Sequence, residues 1–304
     1  MATDTLFVIG LMMVVSLTWG TLAIPSLRKR LPKIYLIARS WWLMLAALCI
    51  CYLVAKITND TQYVQLQPQP QAQSPSHPYQ WLLIAFFILI GLRGSYEIKR
   101  LWCIDSKSRF IRKLQARGLQ PKSISAEKKL KPTNSYTRLN LLDLLFSAAF
   151  ILLIISMIAL QQLTWQREQY GVLLFVLFAS QFNDIAQYLS SKLLKGKLFK
   201  RGLAPRISPN KSIEGAFFGS LLAALLAAFL GTWLTPFSWW VCLLAAYGLA
   251  VSGIAGDLLE SAFKRQHGVK DTGTLLAGHG GLLDRIDSLL IGVPLFTLLY
   301  WLLG

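Results

Sequence analysis

Eight apolar runs, near residues 5–25, 40–57, 81–92, 140–160, 170–189, 213–234, 236–258 and 286–303, recur along this chain of 304 residues. About 20 apolar residues in a helix cross the hydrocarbon core of a bilayer. Most of the runs reach about that length; the third is short. The composition agrees, at 54% hydrophobic and only 15% charged residues, which is too apolar for an ordinary soluble domain. The expected fold class is therefore all-α: a polytopic integral membrane protein with about eight transmembrane helices.

The first run has no basic segment ahead of it and no convincing cleavage site, and Arg28, Lys29 and Arg30 follow it. It reads as a retained span with its N-terminus outside, rather than a signal peptide. Carried through eight spans, that orientation makes segments 26–39, 93–139, 190–212 and 259–285 cytoplasmic. They hold 5, 13, 7 and 4 Lys and Arg residues, 29 of the chain's 31, leaving only Lys56 and Arg167 elsewhere. So one-sided a distribution follows the positive-inside rule and predicts that both termini lie outside. The net charge of +17 is accounted for by this asymmetry and by attraction to anionic lipid head groups, without nucleic acid as a partner. Cys49, Cys51, Cys103 and Cys242 show no metal-ligand spacing and imply neither disulfides nor zinc.

Between the spans, Thr58 to Gln80 is rich in Gln, Pro and Ser, lacks Lys and Arg, and reads as a solvated external connector. It divides an N-terminal pair of spans, residues 1–80, from a membrane domain over 81–304. The run KSRFIRKLQARG, within the long basic loop, suggests a short helix or a solvated face at the membrane surface. The acids follow a different pattern from the bases. Seven of 14 fall in the last 121 residues: Asp184, Glu214, Asp257, Glu260, Asp271, Asp284 and Asp287. Six sit at or near the cytoplasmic ends of spans, and Asp271 lies in the loop between two of them. A carboxylate at membrane depth is costly unless it is paired or holds a cation, so these positions are candidates for function.

Three constellations stand out. In GDLLESAFKR, Asp257, Ser261 and Lys264 share a helix face if the seventh span continues, offering an acid, a hydroxyl and an amine to a cation and a phosphate. The bland alternative is an Asp–Lys ladder closing the helix at the interface. In DRIDS, Asp284 and Asp287 lie three apart, expected on the first turn of the final span. Carboxylates suit Mg²⁺, which takes one or two of them plus phosphate oxygens, although capping alone explains one Asp at a helix start. Between these stretches lie Lys270, Asp271, and His279 among Gly278, Gly280 and Gly281, where glycines permit close approach to a phosphate. The third constellation, ISPNKSIEG, presents Ser208, Lys211, Ser212 and Glu214 where the sixth span begins, a position that attracts anions.

The segment SAFKRQHGVKDTGTLLAGHGGLLDRID, Ser261 to Asp287, resembles the signature of the phosphatidate cytidylyltransferases, or CDP-diacylglycerol synthases. The preceding Gly256, Asp257 and Leu258 match the family's G-D-L, while Ala277 stands where the family usually has Pro. SPNKSIEG, and Asp184 with Ala186 and Tyr188, extend the likeness more weakly. The likeness covers roughly residues 81–304, and RSWW at 39–42 is similar to shorter bacterial paralogues.

The resemblance implies transfer of CMP from CTP to the phosphate of phosphatidic acid, with Mg²⁺ in a site expected to hold two cations. It places the protein in the bacterial cytoplasmic membrane among lipid partners, and it admits a homodimer. The implied metal ligands are Asp257, Asp284 and Asp287, with Asp271 next and Lys264 beside them in catalysis. Lys264, Arg265, Lys270 and Arg285 would neutralise phosphates, while His279, Gly280 and Gly281 would shape the nucleotide pocket. Asp184, Ser208, Lys211, Glu214 and Ser261 would contact substrate. The rival readings are a CTP-dependent lipid kinase of the dolichol or phytol type, a non-catalytic paralogue, and a transporter. The acids gather at one boundary and no repeat is evident, which argues against a transporter.

Overall fold

The computed structural model describes residues 3–57, 77–116, 140–194, 202–204, 208–273 and 280–303. The chain runs through α1 (Thr3–Ala23), α2 (Pro25–Arg30), α3 (Pro32–Ala55), α4 (Gln80–Ala116), α5 (Leu141–Gln166) and α6 (Gly171–Leu194). A small antiparallel hairpin, β1 (Gly202–Ala204) and β2 (Ser208–Ser212), precedes α7 (Ile213–Leu234), α8 (Trp239–Gln266), the single turn α9 (Leu283–Ile286) and α10 (Leu289–Leu303). Seven helices are long and apolar enough to cross a membrane, and α10 is a shorter apolar helix of 15 residues. The protein is an all-α, multi-pass membrane protein with one short hairpin attached.

Two expectations change. The third span is not short: α4 continues for 37 residues, so the run expected as a separate surface helix forms its C-terminal part as far as Ala116. The final span begins at Leu289, and Asp284 and Asp287 precede it on and just after α9 rather than forming its first turn. Most of the Gln- and Pro-rich connector, residues 58–76, lies outside the described residues.

Apolar side chains such as Leu17, Ile151, Phe229, Trp233 and Leu298 are exposed around the bundle, as lipid-facing positions must be. Inside, small residues bring the helices close. Gly215, Gly219, Ala223, Ala227 and Gly231 recur every four residues along the buried side of α7, which packs on α6. Lipid tails compete equally for apolar contacts, so close packing of this kind is what holds helices together in a membrane. Polar ties complement it: Asn183 of α6 donates to the Ala250 carbonyl of α8 (3.1 Å) and accepts from Ser220 of α7 (3.3 Å).

One end of the bundle is closed by polar contacts among helix termini. Asp4 of α1 accepts from Tyr52 Oη (2.7 Å) and Lys56 Nζ (2.5 Å). Trp165 donates to the Ala55 carbonyl, and Arg167 to that of Tyr300. Lys56→Met strands the buried Asp4 carboxylate and is expected to destabilise the protein by about 3 kcal/mol. Thermal unfolding in detergent would register the loss, while activity at low temperature stays at the wild-type level because the acids lie at the other end.

Candidate active site

At that other end, α8 runs unbroken through Gln266, so Asp257, Glu260, Ser261 and Lys264 lie on one stripe of it. Its terminus is clamped to α5. Asp143 accepts from Gln266 Nε2 (2.9 Å) and lies 3.0 Å from His267 Nε2, while Phe263 stacks on Phe146 at 4.2 Å. Asp143 also caps α5 by accepting from the Asn140 amide (3.1 Å). One buried carboxylate therefore fixes the start of one helix and the end of another.

Across from this stripe, α9 and the following turn contribute the remaining acids. Asp257, Glu260 and Asp287 each offer one oxygen, and these oxygens lie within 4.8 Å of one another. Only a glycine at 256 permits this approach, because a β-carbon there would overlap the Asp287 carbonyl oxygen. Burial, followed by the charges of Glu260, Asp257 and Asp184, pushes the Asp287 carboxyl well above the usual carboxylate range. Glu260 is wholly buried; its Oε2 lies 2.5 Å from Lys264 Nζ, yet neither of its oxygens receives a well-directed hydrogen bond. Converging, incompletely satisfied carboxylates are the donor set a hard divalent cation requires.

Asp284 behaves differently. Its Oδ1 accepts from Lys264 Nζ (2.8 Å), and its Oδ2 accepts from the amides of Thr272 (3.0 Å) and Gly281 (2.7 Å) and from Thr272 Oγ1 (2.9 Å). Burial opposes its ionisation, but the Lys264 charge and these donors outweigh it and hold its carboxyl below the usual range. Gly280, with φ of +83°, turns the chain so that the Gly281 amide reaches this carboxylate.

Glu97 supports the same loop from α4. Wholly buried, it accepts from the amides of Leu282 and Leu283, each at 3.1 Å, and its Oε2 lies 3.1 Å from Thr272 Oγ1, the hydroxyl it shares with Asp284. It satisfies amides at the start of α9 that would otherwise be orphaned.

The remaining candidates divide into two groups. Lys211 on β2 ion-pairs with Asp257, to which Ser261 Oγ also donates (3.4 Å). Asp184 feels the charges of Asp257, Lys211 and Arg285. Ser208 is half-buried on β2, and Glu214 is buried in the first turn of α7, which Ser212 caps by accepting from the Gly215 amide (3.0 Å). Lys270 and Asp271 are exposed, and Arg265 is exposed with a hydrogen bond to the Val269 carbonyl (3.3 Å). His279 lies outside the described residues, as does the Tyr188 side chain.

Sequence reasoning counted Glu260 among the seven candidate acids without giving it a role, and it missed Glu97, Thr272, Asp143 and His267 as members of this region. Glu260 was within reach: it sits three residues from Asp257 and four from Lys264, on their stripe. Glu97 carried no such signal, lying among the bases that follow the third apolar run.

An acid cluster interleaved with lysines, at the end of a lipid-facing bundle and beside a glycine turn, is suited to phosphate chemistry on a membrane. The profile of the cytidylyltransferase family matches residues 4–303. The chain belongs to that family. Among curated members, a phosphatidate cytidylyltransferase of Staphylococcus epidermidis is 32% identical over 222 residues, covering 71% of this chain and 81% of the relative. One of Pseudomonas aeruginosa is 48% identical over 138 residues, covering 44% of this chain and 49% of the relative. The uncharacterized protein YnbB of Escherichia coli is 44% identical over 125 residues, 41% of each chain. The chain thus spans less than half the length of the latter two in alignment, and most of the first.

Proposed function

We propose that this cytidylyltransferase-family protein transfers CMP from CTP to the phosphate of phosphatidate, forming CDP-diacylglycerol and pyrophosphate. Its place would be the cytoplasmic face of a bacterial inner membrane, with both termini outside. The orientation is supported by the confinement of 29 of 31 Lys and Arg residues to four segments on one side. The reaction is supported by the family, by the names of the relatives, and above all by the convergence of Asp257, Glu260 and Asp287 beside Lys211 and Lys264.

A lipid phosphate oxygen attacks the α-phosphorus of CTP, a P–O bond forms, and the bond to the bridging oxygen breaks as pyrophosphate departs. No covalent enzyme intermediate is needed, so positioning and charge neutralisation carry the catalysis. Asp257, Glu260 and Asp287 would hold Mg²⁺, which when bound supplies positive charge to the phosphate oxygens. Asp284 adjoins Glu260 across Lys264, and with its oxygens taken by Lys264, Thr272 and Gly281 it would position the glycine turn and Lys264 rather than ligate the cation directly. Lys264 keeps Glu260 and Asp284 apart and oriented. Lys211 and Arg285, whose charges act on the same acids, meet the phosphates of the substrates. The Gly280–Gly281 turn would face the nucleotide.

The test is an assay of the purified protein with labelled CTP, Mg²⁺ and phosphatidate, run beside Asp284→Ala. The wild type is expected to give labelled CDP-lipid and pyrophosphate, and the variant about a hundredfold less. Equal turnover by the two, or a labelled phosphorylated alcohol as the product, would overturn the assignment.

A further inference from the structure

Two mainly apolar recesses between helices differ in the charged groups of their linings. One, of about 530 Å³, lies between α5 and α10, and its lining residues include no charged side chain. The other, of about 350 Å³, is bounded by α3, α4, α6 and the α9–α10 segment, with Met157 of α5 also in its lining. Its lining includes Arg285, next to Asp284 of the site, and, from the helices, Trp41, Ala47, Leu48, Phe86 and Ile90. Trp41 belongs to the RSWW stretch, which the catalytic site leaves unused.

The single charged residue in this lining is Arg285, whose charge also acts on Asp184, itself coupled to Asp257. A single cation beside the acids, in a recess lined otherwise by apolar side chains and Gln181, matches a molecule with a phosphate at one end and a hydrocarbon chain behind it. We infer that the recess between α3, α4 and α6 seats one acyl chain of the phosphatidate, with Arg285 at its mouth on the lipid phosphate. This deepens the proposed reaction and rests on it for the identity of the lipid.

A chain leaving the bilayer for this recess exchanges one apolar environment for another, so little binding energy is gained from its burial. The recess acts instead by orientation: with the tail held, the phosphate stays directed at the nucleotide, and catalysis gains from that alignment. Selection among lipids then follows from the fit of the tail, and α3, from the N-terminal pair of helices, becomes a specificity wall.

Two measurements test the inference on the full-length protein in lipid nanodiscs. Phosphatidate carrying a photoreactive diazirine near the end of one acyl chain is expected to label α3 and α6 around Ala47, Leu48 and Leu177, as read by peptide mass spectrometry. Label on Leu152, Leu298 and Trp301 of the other recess, or spread over outward-facing residues, would overturn it. In turnover, Ala47→Trp narrows the channel and is expected to lower kcat/KM about tenfold for dioleoyl phosphatidate while sparing the dihexanoyl lipid. Ala159→Trp, in the α5–α10 recess, should change neither. An equal loss on both lipids, or no loss from Ala47→Trp, would overturn the inference. Labelling around Leu48 without any pyrophosphate release supports the lipid site and counts only against the proposed reaction.

Discussion

Asp287→Asn is expected to lower Mg²⁺-dependent pyrophosphate release by about a thousandfold, or about 4 kcal/mol of barrier. Of the three converging acids, Asp257 is already paired with Lys211, and Glu260 lies beside Lys264. Asp287 is the member whose charge is least compensated by neighbouring lysines, and its carboxyl is pushed up by burial and by the acids around it. Asn keeps the size and still accepts from the Ser288 amide, which Asp287 Oδ1 holds at 2.9 Å. What it removes is the anionic oxygen that a bound cation would call on.

The change in stability should therefore run opposite to the change in activity. With one repulsive carboxylate gone, the variant is expected to unfold at the wild-type temperature or above it when no Mg²⁺ is present. Mg²⁺ should raise the unfolding temperature of the wild type and leave the variant unmoved, since a ligand stabilises only a fold that binds it. Retained turnover with a retained Mg²⁺ shift would show that the cation is held elsewhere.

Glu97→Ala carries the second large effect, at a residue that touches no substrate in this reading. The substitution leaves the Leu282 and Leu283 amides without their buried acceptor. Each orphaned donor costs about 1–3 kcal/mol, so a destabilisation of about 4 kcal/mol is expected. Activity should fall about a hundredfold even at temperatures where circular dichroism shows the helices intact, because misplacing a site by about 1 Å costs that much. Glu97→Gln keeps the shape and one acceptor oxygen, and it should recover part of both losses. A variant that is destabilised but turns over normally would limit Glu97 to holding the fold.

Much of this architecture was legible in advance. The spans near 140–160, 170–189 and 213–234 correspond to α5, α6 and α7 because apolar run length is a local property of the chain. The expectation failed where a polar face was read as an end. Beyond residue 92, the basic residues of α4 sit on a helix that continues, and a hydropathy window does not register continuity of the backbone. The final span was drawn too early for a related reason: α9 and α10 are separated only by a turn at Asp287 and Ser288, which packs against Gly256 of another helix.

The site divides in the same way. Asp257, Ser261 and Lys264 were found because one helix face has a fixed period, and Glu260 was available by the same rule. Asp284 and Asp287 were found as a pair, yet they part: one joins Lys264 and the glycine turn, the other joins Asp257 and Glu260.

By itself the sequence determined the membrane-spanning class, the segregation of nearly all basic residues to alternate loops, and the family signature from Ser261 to Asp287. These are written in run lengths, in charge counts and in residues spaced along one segment. Only the tertiary structure decided that Glu97 of α4 holds the loop before α9, that Asp143 of α5 ties down the end of α8, and that Glu260 joins Asp257 and Asp287. Asp257 and Glu260 share α8, but the other partners come from different elements, and those of Glu97 and Asp143 lie more than a hundred residues away. Their meeting follows from the packing of small residues between helices and from the need to satisfy every buried charge.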